Sequence, residues 1–318
     1  MKPLLYIILG ALAATRAAAQ TPIVRPDLST DTKIAPAYFG PNAFPVPEML
    51  DGAVASTLQA TVAGVYHWGD WGDKAVDAQV HLRVPLFTPR ANLVLWIPIE
   101  HYRLTPEWKE HARVSDHPAT SGMAVGSAFV STDVLLMRES RVRPAMTVRA
   151  AMKTASEDDW TTARYYDCPG YYFDAAFGKS IALRPHSAAA EGGGRSHRPA
   201  LESLRLGVSA GFLCWQTDNG RQNDATMYAA SLKAKFRHVD IEQNLRGYSG
   251  WEGDGDRPMV AKTQISAHLA PRETASKRRR PVFSPFLSYE KGLHDYPYQH
   301  ISAGLTIEFD ILRKQRAD

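Results

Sequence analysis

The sequence predicts an all-β fold, a closed antiparallel transmembrane β-barrel of about 12 strands. Three observations predict it. Between residues 53 and 312, apolar and polar side chains alternate with a period of two over twelve segments, and a strand turns successive side chains to opposite faces. The segments run for about 10 residues, the length a tilted strand needs to cross a hydrocarbon core. The connections between them alternate between short and long, as tight turns at one rim and loops at the other require.

The segment Ala75 to Leu86 shows the pattern at its plainest: Val76, Ala78, Val80, Leu82, Val84 and Leu86 against Asp77, Gln79, His81 and Arg83. Before the barrel lie two other regions. Residues 1–19 read as a cleaved export signal, with Lys2, an apolar run from Leu4 to Ala14, and Ala17-Ala18-Ala19 before Gln20. Residues 20–52 form a leader rich in proline (Pro22, Pro26, Pro36, Pro41, Pro45, Pro47), which breaks helices and withholds ladder donors. The leader reads either as a periplasmic extension or, through Ala37 to Phe44, as a plug in a barrel mouth. Residues 313–318 are a C-terminal tail beyond the last strand.

Composition narrows the function classes. Without Lys2 and Arg16 the chain carries 35 basic and 33 acidic residues, a near-balance that argues against a nucleic-acid partner. Two cysteines do not make a disulfide scaffold. No run after the signal reaches 18 apolar residues, so strands rather than helices would meet the lipid bilayer.

In chain order, the first segment sets Val54, Leu58, Val62, Tyr66 and Trp68 against Thr57, Gln59, Thr61 and His67. Ala75–Leu86 is the second, and the third turns Leu93, Leu95, Ile97 and Ile99 outward. Ser127–Met137 opposes Val130, Val134 and Leu136 to Asp133; Val142–Lys153 opposes Val142, Met146, Val148 and Met152 to Arg143, Thr147, Arg149 and Lys153. Phe173, Phe177 and Ile181 then face away from Asp174 and Ser180. The seventh to tenth segments place Arg205 and Trp215, then Lys233, Lys235 and Arg237, then Asp240, Glu242 and Arg246, then Lys262 and His268, on the polar side. Val282–Lys291 resists phasing, and the last segment sets Ile301, Leu305, Ile307 and Phe309 against Thr306, Glu308 and Asp310.

In a two-sheet sandwich the links would be short at both ends. Here Phe87–Arg90, Arg138–Arg141 and Arg237-His238 are tight, while Arg103–Gly122, Thr154–Gly170, Gln216–Asp224, Gly247–Arg257 and Gly292–Pro297 are mostly longer. Arg184–Ala200 and Ala270–Arg280 break the rule as polar insertions. Tyr66, Trp68, Tyr102, Trp160, Tyr171, Tyr172, Trp215, Tyr248, Trp251, Tyr296 and Tyr298 fall near the long links, where an interfacial aromatic girdle is expected.

Candidate functional residues fall into three sets. The polar faces bring Asp77, His81, Arg83, Asp133, Arg143, Arg149, Lys153, Arg205, Lys233, Lys235, Asp240, Glu242, Arg246, Lys262 and Glu308 into the lumen. They make either an interlocking set of ion pairs or a narrow, anion-favouring path, since lumen charge tunes selectivity. Trp68, Trp71, Trp160, Trp215, Arg221, Trp251 and Asp256 are candidates for recognising small polar or aromatic solutes from extracellular loops, or else belt residues joined by Gly-Asp turns. Cys168 and Cys214, near the ends of adjacent strands in an oxidising compartment, are a candidate disulfide. No metal or cofactor is expected: Asp254-Gly255-Asp256 lacks the rest of a calcium loop. The rival enzymatic reading, a membrane lipid hydrolase, would need His67 or His101 beside a nucleophile.

Several phrases carry a family resemblance. Gly126-Ser127-Ala128 through Leu135-Leu136, with Pro144-Ala145-Met146-Thr147-Val148-Arg149 and Lys153-Thr154-Ala155-Ser156, resembles a region of the transporter-like outer-membrane barrels associated with phenol degradation. Those close the phrase in Lys-x-Pro-Thr-Gly, and Lys-Thr-Ala-Ser stands in its place here. Ala163-Arg164-Tyr165-Tyr166-Asp167, Gly170-Tyr171-Tyr172-Phe173-Asp174, Trp215-Gln216-Thr217-Asp218 and Gly247-Tyr248-Ser249-Gly250-Trp251 resemble uncharacterised outer-membrane barrels of Bacteroidota. The resemblance covers most of the barrel and implies its fold and an outer-membrane location. Passage of small solutes is the function it implies, with a surface ligand-binding or scaffold barrel as the alternative.

Overall fold

The computed structural model describes residues 33–157, 162–183, 201–217, 223–269 and 281–309. Its strands are β1 (Leu58–Gly69), β2 (Lys74–Pro85), β3 (Ala91–Arg103), β4 (Ser121–Val125), β5 (Phe129–Met137), β6 (Ala145–Lys153), β7 (Gly170–Ala182), β8 (Leu201–Trp215), β9 (Asn223–Phe236), β10 (Val239–Gly250), β11 (Met259–Ala267), β12 (Val282–His294) and β13 (Tyr298–Phe309). Every pairing is antiparallel, and β1 bonds to β2 on one side and to β13 on the other, so the sheet closes on itself. Both β4 and β5 pair with β3, the first with Ile99–Arg103 and the second with Ala91–Trp96. They are two halves of one wall strand interrupted at residues 126–128, which makes the barrel twelve-stranded.

Closure leaves no edge, and the period-two pattern then sorts side chains to two faces. On β1 and β2, Val62 lies opposite Val80, and both point out, 58% and 52% exposed. Their neighbours Ala63 and Asp77 point in and are buried. Val76 is 52% exposed, so the greasy face is the outside of a ring rather than a dry interior between stacked sheets. Leu206, Val208, Phe173, Leu287 and Ile301 continue the apolar belt around the barrel. An exposed apolar band of this extent has no place on a soluble monomer.

We call the rim where β1 starts and β13 ends proximal, and the opposite rim distal. Links at residues 86–90, 138–144, 183–200, 237–238 and 268–281 lie at the proximal rim. The distal links are 70–73, 104–120, 154–169, 216–222, 251–258 and 295–297. The expected length asymmetry is therefore weaker than the sequence implied: β12 runs further than its pattern showed, and the distal links 70–73 and 295–297 are shorter than the proximal links 86–90 and 138–144. The export signal, Trp160, Arg221, the tail after Phe309 and most of both proximal insertions lie outside the described residues.

Within link 104–120, α1 (Pro106–His111) is a short helix with local causes: the Thr105 hydroxyl accepts from the Trp108 backbone N–H, and Pro106 occupies the first turn. The helix buries Trp108 inside the distal mouth.

Candidate functional site: the barrel lumen

Three segments fold into the lumen beside the strands: α1, residues 162–168 of the link between β6 and β7, and the leader from Lys33 to Gly52. The leader crosses the barrel from rim to rim. Lys33 pairs with Asp254 of a distal link at 2.6 Å, and the Ala37 N–H donates to the Gly255 carbonyl. A 3-10 turn at Pro36–Tyr38 follows, with Tyr38 stacked on His111 of α1. Deeper in, Phe39 and Phe44 are buried among Tyr166 and Trp215, and Tyr248 donates to the Phe44 carbonyl at 3.2 Å. Towards the proximal rim Glu48 meets Lys262 at 2.8 Å and Arg246 at 3.4 Å, and Asp51 meets Arg205 at 3.2 Å. Thr57, just before β1, donates to Glu308 at 3.3 Å.

The distal third of the lumen is organised by Arg164. Its guanidinium is fully buried, contacts Asp73 at 2.8 Å and Glu100 at 2.8 Å, and lies over the rings of Tyr102, Trp108 and Tyr298. Burial opposes its charge, but Glu100 and Asp73 outweigh that and hold its pKa well above the ordinary arginine value. Asn42 of the leader donates to both Asp77 (2.7 Å) and Glu100 (3.0 Å), and His67 bonds Asp77 at 2.7 Å. One polar cluster thus joins the leader, the link 154–169 and strands β1 to β3. A charge buried this deeply is offset by the two carboxylates that pair with it, although one oxygen each of Asp73 and Asp77 and the Nδ1 of His67 are buried without a hydrogen bond.

A second lock holds the same link. Lys153, at the distal end of β6, bonds Glu157 at 2.9 Å and the carbonyls of Tyr166 and Cys168 at 3.0 and 2.8 Å. Ser127, in the break between β4 and β5, donates to Glu157 as well. Burial pushes the Glu157 carboxyl up to about 7, against the pull of Lys153 and Ser127.

Most lumen candidates are thus present and largely paired with one another. Arg149 and Asp174 form a two-pronged pair (2.7 and 3.0 Å), Arg246 meets Glu290 at 2.6 Å, Lys233 meets Glu242 at 2.6 Å, and Asp240 faces His268 at 3.4 Å. Arg83 reaches Gln59 at 3.1 Å while its Nε is buried with no partner. His81 stacks on Trp96, Asp133 accepts from Ser131, and Lys235 also points inward on β9. Arg143 does not belong here: it lies in the exposed proximal turn 138–144, ahead of β6, so its parity carries no facing.

The aromatic expectation needs correction. Trp215 lies on the inner face of β8, buried, and donates to Tyr248 at 3.2 Å; it is not a loop residue. Tyr102, Tyr172, Tyr248 and Tyr298 are likewise buried on inward-facing positions. Alternation alone separates them from Trp68, which points outward from β1 and stacks on Tyr289. Of the loop set, Trp71 and Trp251 are exposed at the distal mouth, 42% and 68%, with Trp71 stacked on His111 at 4.4 Å. Asp256 is buried and closes its own loop, accepting from the backbone N–H groups of Glu252 and Gly253 at 2.9 and 3.1 Å.

Cys168 and Cys214 are not joined in a disulfide. The register partner of Cys214 is Tyr171, and Cys168 sits before β7 with its carbonyl held by Lys153, so the thiols do not meet the strict geometry of a bridge. His67 is buried with Asp77 on one ring nitrogen and nothing on the other, and His101 points out from β3. Neither histidine has a hydroxyl nucleophile bonded to it. Among the described residues no cluster of three metal-ligating side chains occurs. An apolar depression of about 490 Å³ lies on the outer wall rather than in the lumen, between Val134, Val148, Phe173 and the small residues Ala150, Ala175 and Ala210.

Sequence reasoning missed Asn42, Glu48, Asp51, Glu100, Arg164 and Glu290. The signal for Glu100 and Glu290 was available, since each sits in phase with its strand's inward set. For the leader residues none was.

Comparison with known proteins bears on the fold. No protein-family description matches the chain, and no curated protein matches its sequence. Among solved structures it is similar to the COG4313 outer membrane channel from Pseudomonas putida F1, at 10% identity and a TM-score of 0.51 over 83% of this chain and 99% of that one. The beta domain of the Bordetella autotransporter Brka also aligns, at 8% identity and a TM-score of 0.42 over 80% of this chain and 99% of that one. A third, the monoaromatic hydrocarbon channel CymD, aligns at 5% identity and a TM-score of 0.32, over 80% and 88%.

Proposed function

We propose that the protein is an outer-membrane channel for small solutes whose lumen is held shut by its own leader. The observation that carries this reading is the pairing of an apolar outer wall with a charged interior that the leader crosses from rim to rim, clasped by ion pairs at Glu48 and Asp51. An apolar belt of tilted strands suits a bilayer, and closed strands leave no backbone group unpaired in lipid. Fully buried hydrophobic anchors such as Phe44 hold the distal part of the leader, while half-open ion pairs hold its proximal part. That division suits a plug that shifts rather than one that forms a permanent core.

The solutes that fit are small and polar or aromatic. Rings of Tyr166, Trp215, Tyr248 and Tyr172 line the interior beside Arg149 and Arg246, a surface that favours a flat ligand bearing negative charge. Displacing Glu48 and Asp51 takes two carboxylates from the path, leaving Arg205, Arg246 and Lys262 facing it. The open state therefore favours anions over cations.

The test is planar-bilayer recording of the full chain against a Glu48→Gln, Asp51→Asn double variant and a variant lacking residues 33–50. Larger, anion-selective conductance in the altered proteins is the expected result. Silence in all three would leave the alternative, a surface ligand-binding or scaffold barrel without transport.

A further inference from the structure

The proximal ends of β2, β3, β5 and β6 carry a patch that the lumen does not use. Two turns meet there, residues 86–90 and 138–144: the Arg90 guanidinium donates to the Leu136 carbonyl at 3.0 Å, and the Leu135 N–H donates to the Arg90 carbonyl at 2.7 Å. Lys179 of β7 ties the second turn down, its ammonium donating to the carbonyls of Ser140, Arg141 (3.0 Å) and Arg143 (3.5 Å). Arg90, Arg138, Arg141 and Arg143 are exposed, and none of the four pairs with a carboxylate among the described residues. Glu139, the one acid in the two turns, is taken by Arg205 at 2.8 Å and by the Ser180 N–H at 2.7 Å. Beside the arginines stand Phe87 and Val142, each 85% exposed. Phe87 holds φ at 55°, a left-handed backbone that a bulky residue adopts at a cost, so the turn displays its ring at the expense of local strain.

The same wall carries the apolar depression of about 490 Å³, with Ala150, Ala175 and Ala210 as its small residues and Val134, Val148 and Phe173 around them. Register puts it in line with the patch: Val134 of β5 pairs with Val148 of β6, Val148 with Ala175 of β7, and Ala175 with Ala210 of β8. Val134 lies four residues before Arg138, and Val148 five after Arg143. At about 3.3 Å per residue these steps span roughly 13 to 17 Å, close to half of a hydrocarbon core about 30 Å thick. Leu136, 51% exposed, continues the apolar surface between the two. One leaflet of hydrocarbon thus separates an apolar trough from a set of unpaired cations. A second copy seated here about a two-fold axis would set arginines against arginines, and a soluble acidic partner would leave the trough unfilled.

We infer that this wall binds an anionic glycerophospholipid, its phosphate on the arginines of the two proximal turns and one acyl chain in the trough between β5 and β8. A guanidinium grips phosphate oxygens through two N–H donors at once, and basic residues at a membrane surface favour anionic lipid. Phe87 and Val142 then enter the boundary between headgroups and acyl chains, where surface-bound segments bury their apolar side chains. The inference rests on the reading of the exposed apolar belt as lipid-facing.

The test is native mass spectrometry of the full chain released from nanodiscs of phosphatidylglycerol and phosphatidylcholine in equal amounts, with titration of each lipid into the detergent-solubilised protein. Three forms are compared: the unaltered chain, an Arg138→Gln, Arg141→Gln, Arg143→Gln triple variant, and an Ala150→Leu, Ala175→Leu variant that fills the trough and keeps every arginine. The unaltered chain is expected to retain one phosphatidylglycerol in preference to phosphatidylcholine. The triple variant should lose roughly 100-fold in affinity for it, about five-fold for each arginine removed, and the trough variant should also bind it more weakly. Equal retention of the two lipids by the unaltered chain, or undiminished affinity in either variant, would overturn the site and leave the lipid-facing belt standing. Lipid-free dimers in the same spectra, lost in the trough variant, would assign the wall to a second copy and overturn it too. Failure of the unaltered chain to enter nanodiscs of any composition would defeat the lipid-facing reading and the site with it.

Discussion

Glu48 of the leader and Lys262 of β11 meet at 2.8 Å although they stand 214 residues apart. The contact lies inside the barrel yet remains open to solvent, the Glu48 side chain being 54% exposed. Pairs of this kind are screened and contribute about 0–1 kcal/mol each. They are strong enough to bias the position of the leader and weak enough to release it.

Removing the clasp should open the barrel. The Glu48→Gln, Asp51→Asn double variant is expected to raise open probability roughly five-fold, the factor that corresponds to about 1 kcal/mol. Single-channel recording measures it, and an unchanged open probability would show that the apolar anchors alone hold the leader.

The clasp should also respond to acid. Partial desolvation inside the barrel works to raise the Glu48 carboxyl, but Arg246 and Lys262 outweigh it and hold it well below the ordinary glutamate range. Burial likewise opposes Lys233 and Arg205 at Asp51, and the net shift is again downward. Groups depressed in the docked state stabilise docking above their undocked pKa values and lose that contribution as pH falls through the depressed ones. Conductance of the unaltered protein is therefore expected to be constant from pH 8 to about 5 and to rise as pH falls below about 4. The double variant should lack that rise.

Arg164 should matter for stability more than for conductance. Arg164→Met leaves Asp73 and Glu100 facing each other in a buried site, and breaking such a set costs about 3–5 kcal/mol. The thermal midpoint in detergent should fall accordingly. Arg164→Lys should not restore it, because an ammonium cannot serve both carboxylates and lie flat across three rings.

The two faces of one wall should differ in tolerance. Val80→Arg places a charge on the belt, expected to cost about 2–4 kcal/mol if the site lies near the bilayer midplane. Ser231→Arg, on the inner face of β9, escapes that penalty. Folding yield into lipid vesicles compares them; equal yields would show that the belt does not face lipid.

Thiol titration checks the cysteines. Without reductant, the unfolded protein should release two thiols and the folded protein fewer, since both sulfurs are buried.

The wall was legible in the sequence because period two is a local property: Val76 to Val80 and Ile301 to Ile307 declare their faces without reference to anything else, whereas Val84, in phase with the first set, is buried at the proximal end of β2. β12 resisted for a local reason too, since Ser284, Pro285 and Ser288 blur the contrast between its faces. Aromatics at strand ends were misread because a rim tyrosine satisfies an interfacial girdle and a packed mouth equally well; Tyr248 and Tyr298 went inside because the leader and α1 supply rings to meet them. The Arg164 cluster was not legible at all. It joins a loop, three strands and the leader, and no spacing along the chain encodes a contact such as Asn42 to Glu100.

The β1–β13 seam closes a ring around a cord that is the ring's own continuation. Such a cord is not a cork. With one end fixed at Leu58, it leaves the eye only by sliding lengthwise or by a parting of the seam, so the wall and its occupant must be put together in one event. The force that shifts the occupant is then best applied at the distal mouth, where Lys33 meets Asp254.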